Sequence, residues 1–109
     1  MINVKIYRQN GLYYKYEVSG HANYDIHGRD IVCAAVSALT QTILITLDET
    51  SRITYKVIED IGFIEVLVSD KDMELIEIQV LFKALEIGIK TMEHEYPEYV
   101  KLEIVNKTP

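Results

Sequence analysis

Apolar and polar residues alternate along five segments of the chain, and alternation with a period of two predicts half-buried β-strands. The first segment, residues 1–8, leads into Asn10-Gly11, a dipeptide typical of a tight hairpin turn. Residues 12–18 therefore form a second strand that pairs back on the first. Further strands are predicted over residues 53–58, 63–68 and 99–105, with a turn at residues 60–62 that pairs the third strand with the fourth.

Two helical segments separate these strands. The first begins at Asp30, a residue type preferred as an N-cap, and stays apolar nearly all round until the polar residues 48–51. A helix without a wet face must be covered on two sides, by the sheet and by either a second helix or a partner subunit, and we therefore expect a homodimer.

The second helix is predicted to start within residues 69–72 and to end before Pro97, which cannot continue a helix. Charged residues at helical spacing predict its solvent stripe: Glu74, Glu77, Lys83, Glu86, Lys90 and Glu93. Apolar residues predict its core stripe: Ile78, Phe82, Leu85, Ile89 and Met92.

The resulting order, ββαββαβ, predicts one α+β domain over residues 1–109, with a mixed or antiparallel sheet packed by two helices. The 17 acidic and 11 basic residues give a net charge of −6, which disfavours nucleic-acid contact. The first residues alternate as a strand does and do not resemble an export signal. We therefore expect a cytoplasmic protein without membrane contact, in which the single cysteine stays reduced.

Between the second strand and the first helix the periodicity vanishes for about ten residues, longer than the usual connection of roughly 4–6 residues. Long loops in small domains are often functional. The reactive side chains of the protein concentrate in this loop and the helix that follows it: His21, Asp25, His27, Asp30, Cys33 and Ser37.

Counting Asp30 as the cap, Cys33 is the third helical residue, where free backbone amides and the helix dipole favour a thiolate. Asp30, Cys33 and Ser37 share one helix face. A histidine on the preceding loop that reaches the sulfur would form the thiolate–imidazolium pair used in nucleophilic catalysis.

Simpler interpretations of the same residues stay open. Cys33 fits a small core residue, Asp30 fits a plain helix cap, and Ser37 fits a helix residue whose hydroxyl bonds to its own backbone. His21, His27 and Cys33, with a carboxylate, are permitted metal ligands, although their spacing matches no standard zinc site.

Residues 20–37 resemble the signature of the ribosomal-processing cysteine protease family, Prp. The resemblance lies in Gly20-His21-Ala22 and, five residues later, in the string from Gly28 through Asp30-Ile31-Val32-Cys33-Ala34-Ala35 to Ser37. It implies a cytoplasmic, homodimeric cysteine endopeptidase that uses no cofactor and no metal. It also implies a substrate, the precursor of a large-subunit ribosomal protein (number twenty-seven), whose short N-terminal extension is removed.

Carried over position by position, the resemblance places the nucleophile on Cys33 and the catalytic histidine on His21. Asp30 and Ser37 take supporting roles, and Gly20 and Gly28 bracket a loop that in the family closes over substrate. His27 is the other loop histidine, and we favour His21 as the base because it lies in the matched Gly-His-Ala string. Two alternatives remain: a non-catalytic ribosome-assembly or interaction module, and the metal site.

Overall fold

The strands and helices follow the predicted order. A computed structural model describes residues 1–50 and 53–107. The elements are β1 (Ile2–Gln9), β2 (Leu12–Gly20), α1 (Ile31–Glu49), β3 (Tyr55–Asp60), β4 (Phe63–Val68), α2 (Ile76–Glu95) and β5 (Val100–Lys107). The predicted α+β class is confirmed.

The five strands form one mixed sheet in the order β3-β4-β2-β1-β5. Three neighbouring pairs are antiparallel, and the β1–β2 and β3–β4 hairpins were predicted. β1 also pairs in parallel with β5, from Ile2 opposite Val100 to Gln9 opposite Lys107. β1 is therefore a central strand, and β3 and β5 are the two edges.

The β1–β2 hairpin turns through Asn10 and Gly11, whose φ angles of 53° and 79° both lie in the left-handed region. This is the backbone that a two-residue turn between twisted strands requires, and Asn-Gly adopts it readily. The pairing register shifts between Tyr7 and Arg8, so Tyr13 and Tyr14 are both buried although they are neighbours in sequence.

Both helices lie on one face of the sheet and bury their apolar stripes against it. The hydroxyl of Tyr16 on β2 donates to the carbonyl oxygen of Thr40 on α1 at 2.8 Å, which fixes the helix over the sheet. Gly88 lets α1 and α2 approach, since a β-carbon there would lie only 3.0 Å from the side chain of Leu39. The fully buried centre comprises Val4, Ile6, Val32, Val36, Leu47, Val66, Val68, Ile78, Phe82, Leu85 and Ile89.

By length and composition α1 could cross a membrane, so the expectation of a protein without membrane contact does not follow from the composition of this helix. The core helix of a folded domain passes the same test. Five residues of α1 pack into the protein interior: Val32, Val36, Thr40, Ile43 and Leu47.

Several boundaries differ from those predicted. β3 starts at Tyr55, with Ile53 buried ahead of the strand, and β5 runs over Val100–Lys107. Residues 70–72 form a separate 3-10 turn, so α2 begins only at Ile76. Of the polar residues predicted to end α1, Ser51 lies outside the described residues.

One residue of the predicted solvent stripe is wrong. Glu86 on α2 is buried, because Oε1 accepts a 2.6 Å hydrogen bond from the hydroxyl of Tyr13 on β2. Lys83 bonds to Oε2 at 3.1 Å from the outer side. Of the predicted core stripe, Ile78, Phe82, Leu85 and Ile89 are buried, and Met92 packs against the core from its edge.

Candidate active site

The reactive residues lie where β2 leads into α1. β2 extends to Gly20, and residues 21–30 cross to the start of α1 as a series of turns and bends. Ala22 is buried in the core. The ring of Tyr24 packs edge-on against Tyr96 at 5.5 Å and Tyr99 at 5.1 Å between centroids. The loop is thus attached to the domain at two points, and its remaining residues are exposed.

Asp30 is the N-cap of α1, and its carboxylate joins the loop to the helix. Oδ1 accepts from the amide of Cys33 at 2.9 Å, and Oδ2 accepts from the amides of Tyr24 at 3.0 Å and Asp25 at 3.4 Å. The bond from the Cys33 amide is the main reason that the pKa of Asp30 lies below its ordinary value, and the loop amides lower it further. The cap interpretation is therefore confirmed.

Cys33 lies in the first turn of α1, with a free thiol that is partly buried and packs against the edge of the core. Its amide is held by Asp30, which fixes the backbone from which the sulfur projects. The side chain is neither sealed in the interior nor on an open surface. This partial exposure leaves the sulfur accessible to substrate, as a nucleophile requires.

His21 is exposed and follows directly after the end of β2. The Gly20 amide donates to the carbonyl of Gly62, in the turn between β3 and β4, at 3.0 Å. The His21 imidazole lies over the same turn, since a β-carbon added at Gly62 would be 3.3 Å from Nε2. Among the described residues, no hydrogen bond joins His21 to Cys33.

Gly20 and Gly28 bracket the loop, and both have positive φ angles, +86° and +91°. Their surroundings differ. A β-carbon at Gly20 would collide with the carbonyl oxygen of Met1, whereas no atom in the described part of the chain, chain neighbours aside, lies within 4 Å of one at Gly28. Close packing and the backbone angle therefore both favour glycine at position 20, whereas at position 28 only the backbone angle does.

Ser37 lies one helical turn beyond Cys33 and lines a cleft of about 220 Å³ between α1 and the ends of β2 and β4. Its carbonyl accepts from the hydroxyl of Thr40 at 3.3 Å. In the described part of the chain its own hydroxyl makes no hydrogen bond, so the expected bond to its backbone is wrong. The cleft is also lined by Val18, Gly20, Thr40, Gln41, Glu59, Gly62, Phe63 and Ile64.

The metal interpretation finds no cluster to support it. Across residues 1–50 and 53–107, no three His, Cys, Asp or Glu side chains come together as a metal site requires. His27 is exposed in the loop, and His94 is exposed near the end of α2 beside a separate cleft of about 710 Å³.

Comparison with known proteins gives this geometry a context. The family model for cysteine protease Prp matches residues 1–101. The chain belongs to the Prp family. The family match makes this Prp protein a cysteine protease.

Solved structures agree with the family assignment. The essential ribosomal processing protease Prp from S. aureus, in complex with a covalently linked product peptide, shares 25% identity and a TM-score of 0.87. The match covers 95% of this chain and 99% of that one. A second S. aureus Prp structure, with a substrate peptide, has the same fold at 24% identity, with a TM-score of 0.80 and coverage of 95% and 99%.

SMU.848 from Streptococcus mutans is 29% identical, with a TM-score of 0.81 and coverage of 98% of this chain and 96% of that one. No curated protein matches the chain.

The sequence did not indicate that the β3–β4 turn belongs to this region. Residues 60–62 predicted a turn, and they form one. Gly62 contacts both Gly20 and His21 because the strand order of the sheet brings β4 beside β2. No local pattern carries that information.

Proposed function

We propose that this Prp protein removes the N-terminal extension from the precursor of the large-subunit ribosomal protein number twenty-seven, in the cytoplasm, and so supports ribosome maturation. The observation that carries the proposal is the placement of the only cysteine in the sequence. Cys33 lies in the first turn of α1, and the loop that carries His21 leads directly into this helix. The S. aureus relatives, described as ribosomal processing proteases, support the substrate class.

In the proposed first step, the Cys33 thiolate adds to the scissile carbonyl carbon while the His21 imidazolium holds the thiol's proton. The tetrahedral intermediate collapses, the C–N bond breaks, and His21 delivers that proton to the leaving amine. The N-terminal extension is then bound to the sulfur as a thioester. Water adds to this thioester with His21 as the base, and the C–S bond breaks to release the extension and restore the thiolate.

The backbone at the start of α1 limits which amides can hold the developing oxyanion. The amide of Cys33 donates to the carboxylate of Asp30, and that of Ala34 donates to its carbonyl. The amide of Val32 also acts on the Asp30 carboxylate and helps to lower its pKa, which leaves Ile31, at the first helical position, as the first-turn amide outside these contacts. We therefore assign the oxyanion contact to the Ile31 amide together with loop amides that substrate brings into place.

The imidazole of His21 rests over Gly62 without a bond to the sulfur, so substrate must bring the two side chains together. Such catalytic hydrogen bonds often tighten only in the complex. Asp30 takes the supporting role of fixing the loop on the helix, and Ser37 lines the cleft between α1 and the ends of β2 and β4.

The direct test uses a synthetic peptide that spans the extension and its junction, incubated with wild type, Cys33→Ala, His21→Ala and His27→Ala. We expect no cleavage by Cys33→Ala. We expect a loss of roughly 10²–10⁴-fold for His21→Ala, the usual contribution of general acid–base catalysis. His27→Ala is the matched control, because it removes another exposed histidine of the same loop and should retain activity.

Chromatography and mass spectrometry of the products give the rates and the cut position. Cleavage by Cys33→Ala at the wild-type rate would overturn the mechanism. Iodoacetamide should label Cys33 in the native protein at neutral pH, whereas labelling only after denaturation would favour the core role. Binding of the precursor without cleavage, and unaffected by alkylation, would identify the non-catalytic interaction module instead.

We further propose that the protein is a homodimer whose copies meet through the outer face of the two helices. This face carries Ile31, Ile45, Val80 and Ile87, each more than half exposed. Between the helices it includes an apolar groove of about 390 Å³, lined by Ala38, Leu39, Thr42, Ile43, Leu81, Ala84 and Leu85.

The charge distribution favours a second copy of this chain as the partner that covers the groove between the helices. Residues 31–47 of α1 contain no charged side chain, although the whole chain carries a net charge of −6. Two copies that meet through this face avoid the repulsion between their acidic surfaces.

A further inference from the structure

The turn between β3 and β4 contacts the backbone and the side chain at the start of the site loop. The carbonyl of Gly62 accepts from the Gly20 amide at 3.0 Å, so the turn fixes the residue just before His21. The edge of the imidazole lies against the same glycine. A β-carbon there would be 3.3 Å from Nε2 and 3.9 Å from Cε1.

A turn can require glycine for its backbone angle or for the space that a side chain would fill. Comparison of two hairpin glycines of this chain separates these two reasons. Gly11 and Gly62 have similar positive φ angles, +79° and +69°, so each serves its turn. Across residues 1–50 and 53–107, no atom outside the chain neighbours lies within 4 Å of a β-carbon added at Gly11, whereas a β-carbon at Gly62 would meet two atoms of the His21 ring. A side chain at Gly62 would therefore crowd the His21 ring, whereas a β-carbon at Gly11 would crowd none of the described residues.

We propose that Gly62 is a positioning residue for His21. The missing side chain leaves the space that the imidazole occupies, and the carbonyl fixes the backbone from which the ring projects. The inference deepens the proposed protease mechanism and rests on His21 being its acid–base group. In this role Gly62 acts only through the placement of His21.

The test compares Gly62→Asn with Gly11→Asn, because asparagine tolerates left-handed backbone better than other side chains. The two variants then differ mainly in whether the new side chain meets His21. For Gly62→Asn we expect kcat on the extension peptide to fall by about tenfold or more with KM little changed, since a displacement of ~1 Å can cost about a hundredfold. Gly11→Asn should keep the wild-type kcat.

A second readout is independent of proteolysis. The rate at which a chloromethyl ketone of the extension peptide alkylates Cys33 is measured against pH for wild type and both variants, because this reagent occupies the substrate site and brings His21 to the sulfur. Weaker stabilisation of the thiolate by a displaced imidazolium should move half-maximal alkylation to higher pH in Gly62→Asn and leave it in place in Gly11→Asn. If Gly62 serves only the β3–β4 turn, the melting temperature of both variants should fall, while the pH profile and kcat should stay at their wild-type values.

NMR on the wild-type protein keeps the inference testable if Gly62→Asn fails to fold. A nuclear Overhauser effect between the α-protons of Gly62 and the ring proton on Cε1 of His21 supports the contact, and its absence overturns it. Wild-type kcat and pH profile in a folded Gly62→Asn would also overturn the inference. If wild type cleaves no peptide, the protease mechanism fails, and with it the role of Gly62.

Discussion

At the scale of single residues, one carboxylate organises the candidate site. Asp30 bonds to the amide of Cys33 through one oxygen and to the amides of Tyr24 and Asp25 through the other. The helix start and the middle of the loop are therefore fixed to the same side chain. Because the folded protein holds the pKa of Asp30 low, these bonds persist at neutral pH and weaken only when acid protonates the carboxylate.

Local rules were sufficient to predict the cap, the helix start and the stretch that carries the reactive groups, since each depends on neighbours in sequence. The position of the His21 ring was not predictable in this way. It depends on Gly62, which lies about forty residues further on and reaches His21 only through the pairing of β2 with β4.

The two glycines that bracket the loop should respond differently to alanine. Both substitutions force a side chain into left-handed backbone, at about 1–2 kcal/mol. Gly20→Ala also drives a β-carbon into the carbonyl oxygen of Met1, and such overpacking adds roughly 1–3 kcal/mol. Urea unfolding should therefore show Gly20→Ala as clearly less stable than Gly28→Ala. Equal losses would mean that the Met1 contact relaxes without cost.

At the scale of elements, α2 is attached to the sheet by polar contacts as well as by its apolar stripe. The side-chain amide of Gln79 exchanges hydrogen bonds with the backbone of Tyr13, accepting at 3.0 Å and donating at 3.0 Å. Glu86 bonds to the Tyr13 hydroxyl about two turns further along the same face of the helix. Helical spacing assigned Glu86 to the solvent stripe. The assignment is wrong because periodicity cannot show that a tyrosine on β2 supplies a buried partner.

These contacts predict how stability depends on pH. Burial alone would raise the pKa of Glu86, but the hydrogen bonds from Tyr13 and Lys83 outweigh burial and hold the pKa below its ordinary value of 4.5. A carboxyl whose pKa is lowered on folding stabilises the protein above the unfolded value and loses that contribution as pH falls through the folded value. Wild type should therefore lose stability below about pH 4.5 partly through Glu86.

Glu86→Gln should remove that part of the acid sensitivity while costing roughly 1–3 kcal/mol at pH 7, because charged hydrogen bonds are lost. Urea unfolding at pH 7 and at pH 3.5 measures both effects, and Glu74→Gln serves as the control because Glu74 is exposed. The same acid-induced loss in wild type and in Glu86→Gln would show that this carboxylate does not contribute.

At the scale of the whole molecule, the two faces of the sheet differ. The helices cover one face. The other carries charged residues in mutual contact, with Lys15 bonded to Glu17 at 3.5 Å and to Glu65 at 3.3 Å. The element order and both hairpins could be predicted from the sequence. The strand order and the parallel pairing of β5 with β1 could not, because alternation shows that a segment is a strand and not which strand it joins.

Sedimentation can test which outer surface joins two copies. We expect wild type at twice the chain mass of 12.6 kDa. Ile45→Lys, on the outer face of α1, should dissociate the dimer. Ile58→Lys on β3 is a matched control, because the two isoleucines are 58% and 56% exposed but lie on opposite sides of the domain. A wild-type mass of 12.6 kDa, or dissociation by Ile58→Lys alone, would contradict the proposed interface.

The parallel pairing of β1 with β5 has a consequence for biosynthesis. Arg8 and Asn106 form a hydrogen bond across this pair and are 98 positions apart in sequence. During translation β1 is made first, and its edge opposite β2 stays unpaired until residues 100–107 have been added. Long-range pairing of this kind slows folding and leaves an unpaired strand edge on the nascent chain. We therefore expect the sheet to assemble late, after most of the chain has left the ribosome, with the β1–β2 hairpin formed first.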